Sequence, residues 1–333
     1  MGKYQNVGTP RFYVDYFQYA LTIGLITADD ISNDIGQDNN ELKKLFYLNP
    51  TNPIYLDMEA LSINTKLQNN LSTFNYFMVL NHDLHESDEV FVALTHSINE
   101  QLWGGFDYTG RVNDCANEEA MYNGWSLCDL TWVSGGDGSQ EVLTFAVANQ
   151  CNIGAISIGT SYTMPYSPDL NLTMTREFGG AKKQFTRGGT LLSDHNYTQP
   201  PTWGDGEAWG LYTNAPINLG ARRAGRRTWD LKFSYLSASD IMADLEMLTI
   251  YNTESTDIDD NPTGYEDYVS DTNFFSQFMQ KTLGGSLRFI FQPDGSDYNP
   301  DGFAICILDQ DSISIKQVAH NTYNISLRIM EVW

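Results

Sequence analysis

Apolar and polar residues alternate in short runs along most of this chain, most regularly over Arg226–Leu236, RRTWDLKFSYL. Trp229, Leu231, Phe233 and Tyr235 take every second position there, with Asp230, Lys232 and Ser234 between them. Successive side chains of a strand point to opposite faces, so this spacing predicts a half-buried strand. The closing segment, Tyr323–Trp333, repeats it: Tyr323, Ile325, Leu327, Ile329 and Glu331 alternate with Asn324, Ser326, Arg328 and Met330. Asn75–Leu80 (NYFMVL) is a continuous apolar run after its first residue, as a strand covered on both faces would be. Further strands are predicted at Pro53–Leu56, Val90–Leu94, Gly124–Val133, Glu141–Ala148, Ile153–Ile158, Leu287–Phe291 and Phe303–Leu308. Arg11–Leu25 reads as one more strand, entering a sheet.

Glycine-rich punctuation separates these runs: GGDGS at Gly135–Ser139, Phe178-Gly179-Gly180 and Arg187-Gly188-Gly189. A turn-rich tract runs from Ser193 to Gly220, and an acidic one over Tyr251–Val269. Two helices are expected, a short one at ELKKLF (Glu41–Phe46) and an amphipathic one over Asp271–Leu283. In the second, Phe274, Phe275, Phe278, Met279 and Leu283 share a face, Asp271 or Thr272 caps the start, and Gly284-Gly285 stops the end. Short, evenly spaced strands with few helices predict an all-β protein of the sandwich or jelly-roll kind.

At 333 residues the chain is long enough for two cores. Its 19 Tyr and 17 Phe suit pleated, half-buried surfaces. Net charge adds a constraint. At −23 the molecule is repelled by nucleic acid and by anionic membranes, so neither is an expected partner. The charge is unevenly spread: residues 171–233 hold nine Lys and Arg (Arg176, Lys182, Lys183, Arg187, Arg222, Arg223, Arg226, Arg227, Lys232) against five acids. An acidic body with one basic belt can join copies of itself through opposite patches; a solvated basic loop is the plainer reading of the same run.

No signal-peptide pattern opens the chain, and no apolar run reaches the ~20 residues that span a bilayer, so synthesis and folding in the cytoplasm are expected. Cys115, Cys128, Cys151 and Cys306 lack metal-ligand spacing. Cys128 and Cys306 stand in apolar runs and read as buried thiols, while Cys115 with Cys151 is the one conceivable disulfide.

The order of the C-terminal elements, RRTWDLKFSYL, FFSQFMQKTLGG, LRFIFQPD, FAICIL and NTYNISLRIMEVW, resembles the belt domain of distal tail and minor tail proteins of tailed bacteriophages. The upstream GGAKKQFTRGGTLL is similar to the sheet-to-loop part of that domain. The features shared are an R-x-W strand, a helix of the FF-x-F kind and a closing strand ending in glutamate. NYFMVLNHDL (Asn75–Leu84) and IGAISIGTSYTMP (Ile153–Pro165) resemble galactose-binding-like jelly rolls of virion proteins, with an Asn-His-Asp-Leu turn and a Gly-x-Ile-x-Ile-Gly strand. The resemblance implies an N-terminal jelly-roll domain over 1–165, then a belt-like β-sandwich with one flanking α-helix over 166–333. It implies a structural virion protein at the tail tip or baseplate, forming a cyclic homo-oligomer, a hexamer or trimer. Tail tube, hub and fibre proteins are the other partners implied. In that ring Arg222, Arg223, Arg226 and Arg227 would face acids on the neighbouring copy. The outward domain would serve attachment or docking.

Catalytic signatures are missing from the sequence. HDLH (His82, Asp83, His85) follows a strand and lacks the HExxH pattern, so a turn histidine bonding backbone is the expected role of His82. No nucleophile elbow, phosphate loop or dinucleotide fingerprint occurs, and no cofactor is expected. Asp257, Asp259 and Asn261 alternate like calcium ligands but Pro262 and Tyr268 stand where an EF-hand needs Gly and Glu; Asp294, Asp297, Asn299 and Asp301 read as turn residues, so no metal is expected. Trp103, Trp203 and Trp209, beside glycines and acids, are the candidates for stacking on a host surface glycan, against the commoner role of packing. A carbohydrate-binding attachment protein is therefore the alternative function, and a tail-associated polysaccharide hydrolase a more remote one.

Overall fold

The computed structural model describes residues 7–33, 38–50, 52–56, 60–64, 74–84, 89–96, 100–107, 119–122, 125–134, 142–147, 150–177, 181–195, 226–241, 273–298 and 302–332. Up to residue 165 these form strands β1 (Arg11–Asp15), β2 (Ile31–Asn33), β3 (Ile54–Leu56), β4 (Ala60–Asn64), β5 (Tyr76–His82), β6 (Glu89–His96), β7 (Glu100–Asp107), β8 (Glu119–Tyr122), β9 (Trp125–Asp129), β10 (Thr131–Ser134), β11 (Val142–Val147) and β12 (Cys151–Thr163). After it come β13 (Thr173–Glu177), β14 (Ala181–Phe185), β15 (Leu191–His195), β16 (Arg226–Leu236), β17 (Phe289–Gln292), β18 (Ala304–Leu308), β19 (Ile315–Ala319) and β20 (Thr322–Glu331). Helices are few and short: α1 (Tyr16–Thr22), α2 (Asn39–Leu42), α3 (Ala238–Ile241) and a π-helix over Phe275–Met279. The protein is all-β.

A twelve-stranded antiparallel sheet runs in the order β13-β16-β20-β18-β17-β1-β12-β5-β9-β8, with β19 added on β20 and β3 on β12. A second sheet has the order β10-β7-β6-β11-β4-β2, and β14 with β15 makes a third. The first two sheets pack face to face: Phe77 and Val79 of β5 and Ile153, Ile156 and Ile158 of β12 meet Ile63 of β4 and Phe145 of β11. Phe77 and Phe145 ring centroids lie 5.9 Å apart.

The strand predicted over Arg226–Leu236 forms with those bounds, and β20 pairs with it in the register Trp229↔Ile329, Leu231↔Leu327, Phe233↔Ile325. That puts one buried apolar row against another. The outward row sets Asp230 opposite Arg328, whose Nε lies 3.8 Å from Asp230 and 3.0 Å from Asp309.

Three expectations need correction. Arg11–Leu25 is not one strand: the Asp15 carboxylate accepts a hydrogen bond from the Gln18 amide at 2.9 Å, which caps α1 and ends β1. Gly124–Val133 is not one strand either. β9 belongs to the large sheet and β10 to the six-stranded one, and the chain changes sheets at the buried Leu130, whose amide donates to the Asn75 carbonyl at 2.9 Å. The helix near residue 275 is a π turn rather than a regular α-helix. The amides of Gln280, Gly284 and Leu287 donate to the carbonyls of Phe275, Met279 and Thr282, each five residues back. Asn273 caps it through Ser276 N at 2.8 Å, and Leu283 leaves the apolar face as the chain turns at positive φ through Leu283, Gly284 and Gly285. Phe274 and Phe278 do pack inward, with Phe278 centroids 4.6 Å from Phe12 and 4.8 Å from Phe289.

β1 joins the two halves of the chain. It hydrogen-bonds β12 on one side and β17 on the other, so the large sheet crosses residue 165 without a break. Phe12 and Val14 enter the cluster with Trp229 and Phe278. Tyr13, on the opposite face, enters a cluster with Tyr76, Trp125, Ile290 and Phe303.

Candidate functional site

Four arginines, Arg222, Arg223, Arg226 and Arg227, make up the cluster expected at a subunit interface. Arg222 and Arg223 lie outside the described residues. Arg226 and Arg227 begin β16. Arg227 is only 5% exposed, and its guanidinium is bound within its own chain. Nε and Nη2 donate to the Glu331 carboxylate at 3.1 and 3.0 Å, and Nη2 also donates to the Phe303 carbonyl at 2.6 Å. The Arg227 amide reaches the same carboxylate at 2.9 Å, and the guanidinium stands 5.1 Å from the Trp229 ring centroid. A two-pronged pair of this kind satisfies both charges away from water. Arg227 therefore ties β16 to the end of β20 rather than presenting a charge to a neighbouring copy. The R-x-W strand and the closing glutamate of the sequence pattern are two sides of this one contact.

Earlier in the basic belt stands the β14–β15 hairpin, expected from the sequence as glycine turns and, by resemblance, as the sheet-to-loop part of a belt domain. KKQF-TRGG-TLL, two short runs around a glycine pair, was the signal for it. Thr186 and Thr190 close the loop, with Thr186 N donating to Thr190 O and Gly189 N to Thr186 O, both at 2.9 Å. The register sets Phe185 opposite Leu191 and Gln184 opposite Leu192. Phe185 is 76% exposed, Leu191 49% and Leu192 56%.

A buried polar group sits where β1, β5 and β12 meet. The Tyr76 and Ser157 hydroxyls are hydrogen-bonded at 2.8 Å, and Ser157 also bonds the Asp15 carboxyl. Burial pushes Asp15 up to about 7 against the hydrogen bonds from Gln18, Ser157 and Phe17, and burial likewise raises Tyr76. On the other side of β1, the Tyr13 hydroxyl donates to Gln292 Oε1 at 2.8 Å, joining β1 to β17. These groups are buried and cement the junction of strands.

Of the candidates for chemistry, His82 ends β5, where its Nε2 meets the Ser126 hydroxyl at 3.0 Å; both residues are buried. That partner is a side chain on β9. Asp83 accepts from the Asn152 amide and side chain, both at 2.7 Å, and ties the turn to β12. Asp294 accepts from the Ser296 amide at 3.0 Å and its hydroxyl at 2.7 Å, as a turn residue does. Asn299 and Asp301, and Asp257, Asp259 and Asn261, lie outside the described residues, among which no group of three metal-type ligands occurs. Trp103 stands on β7 opposite Ala93 and Thr131; Trp203 and Trp209 lie outside the described residues. Trp125 and Trp229 are buried in the core. Cys306 is a buried free thiol, Cys128 and Cys151 are buried, and Cys115 lies outside the described residues. Among the described residues no helix is long and apolar enough to cross a membrane.

No family model, curated protein or solved structure matches the chain.

Proposed function

We propose that this chain is a non-enzymatic structural protein of a phage virion, one copy in a cyclic homo-oligomer at the tail tip, presenting its first half outward to fibres, hub or host surface. One observation carries the reading. The residues on which the C-terminal resemblance rests form a single packed unit. Arg227 and Glu331 are paired beside Trp229, Trp229 lies against Phe291 with centroids 5.2 Å apart, and Phe274 and Phe278 cover the same cluster from the flanking helix. Each sequence feature of the pattern has a partner within that unit, which supports its being one inherited design rather than scattered coincidences. Asp15, whose carboxyl burial pushes up to about 7, is buried among strands and ties them together.

Native mass spectrometry of the purified chain, with proteomics of purified phage particles, tests this. A six- or threefold species and the chain's presence in particles are expected. A strictly monomeric chain that is missing from particles refutes it.

A further inference from the structure

The β14–β15 hairpin pairs with no other described strand, and it is exposed on both of its faces. Phe185 and Leu191 share one face with Lys183 and Ser193 by register; Leu192 lies on the other, opposite Gln184. A lone two-stranded ribbon gains little from its own contacts. Three large apolar side chains at 49–76% exposure on so small an element make a surface suited to burial against another molecule. Its turn is fastened by the Thr186–Thr190 hydrogen bonds, so little ordering remains to be done on docking.

Charge identifies the occupant. The hairpin over residues 181–195 carries Lys182, Lys183 and Arg187 against one acid, Asp194, which stands opposite Lys182, while the whole chain stands at −23. Lys183 and Arg187 are exposed. The rest of any copy of this protein is therefore a strongly acidic body, complementary to a cationic arm. We infer that the β14–β15 hairpin is a docking arm that inserts its Phe185/Leu191 and Leu192 faces into the acidic body of a second copy of this chain. Such a contact is heterologous, arm to body, so repeating it either closes a ring or runs on as an open chain. The inference deepens the ring reading and rests on it only for the number of copies.

Sedimentation velocity on the full chain tests it, comparing wild type with Lys183→Glu/Arg187→Glu and with Phe185→Ser/Leu192→Ser. The wild type should self-associate, and more weakly as salt rises from about 0.05 M to about 0.5 M and the screening length shrinks. Each double variant should weaken association by about tenfold or more. Their melting temperatures should match the wild type, because the hairpin is outside the core; Leu192→Ser alone serves if a double variant misfolds. Wild-type chain that stays monomeric at about 100 µM, far above ordinary assembly constants, overturns the inference. So do variants that associate like wild type: a closed ring that persists in them removes the arm and leaves the ring. Salt-sensitive open oligomers that the variants abolish keep the arm and remove the ring.

Discussion

Asp15 shows how much one position can decide. Its carboxyl ends β1, caps α1 and reaches Ser157 of β12, and burial holds its proton up to about 7. In the unfolded chain an aspartate titrates at about 3.9. Between those limits the native state keeps a proton that the unfolded state releases, so stability increases as pH falls. The contribution is complete below about 4 and is lost as pH rises through 7. Asp15→Asn removes the titration, and urea midpoints measured from pH 5 to 8 should fall less steeply than in wild type. Equal slopes would locate the dependence elsewhere. Two glycines are equally specific. A Cβ on Gly159 would lie 2.1 Å from the Val14 carbonyl, and one on Gly154 would lie 2.4 Å from the Pro50 carbonyl. The Gly-x-Ile-x-Ile-Gly pattern thus marks where β12 is crossed closely by the β1 exit and by the loop at Pro50. Sequence showed the glycines, while their crossing partners, 145 and 104 residues away in the chain, were not legible from any local pattern.

For strands and helices, β16 and β20 show the reach of periodicity. Their alternation gave both strands and their buried faces as far as Phe233, since a half-buried strand records its surroundings every second residue; beyond it a bulge at Tyr235, at positive φ, leaves that ring 77% exposed and buries Leu236 instead. It could not distinguish Arg227 from Arg328. Arg328 is an exposed residue bridging Asp230 and Asp309, whereas Arg227 is buried against Glu331. Glu331→Ala would leave a buried guanidinium without its counter-charge and should cost about 3–5 kcal/mol in denaturant unfolding. Arg328→Ala should cost no more than about 1 kcal/mol, as exposed pairs do. Equal losses would mean that the buried pair contributes nothing special. The helix was legible in its apolar spacing and its glycine stop. Its π geometry was not: the fifth-residue hydrogen bonds begin at Phe275, in a turn whose Phe274 and Phe278 pack on the distant Phe12 and Phe289. Asp15 with Gln18 three residues on was a readable capping pattern inside Arg11–Leu25, outweighed by the surrounding alternation.

Taken as a whole, the molecule is organised by one rolled sheet. Trp125 of β9 and Phe303, just before β18, have ring centroids 4.9 Å apart although their strands stand five positions apart in the sheet order. A flat sheet would separate such strands by roughly 24 Å, so the sheet curls until its own inner face meets itself around Tyr13, Tyr76 and Ile290. β1 lies at the centre of that roll and bonds both halves of the chain. Native-state hydrogen exchange should therefore find amides of β12, β1 and β18 opening with the same free energy, as one cooperative unit. If β18 and β20 exchanged with a clearly lower free energy than β5 and β12, the halves would be separate folding units despite the shared sheet.

By itself the sequence determined the all-β class, most core strands, the buried faces of β20 and of β16 up to Phe233, and the acidity of the chain. Those properties are local or summed: alternation over a few residues and a count of charges. Tertiary structure alone decided that β1 joins the halves, that β9 and β10 part into different sheets, that Arg227 is used internally and that Phe185, Leu191 and Leu192 are left outside. Each of these depends on which distant segments meet, and strand pairing over a hundred residues or more leaves no mark on the spacing within either partner.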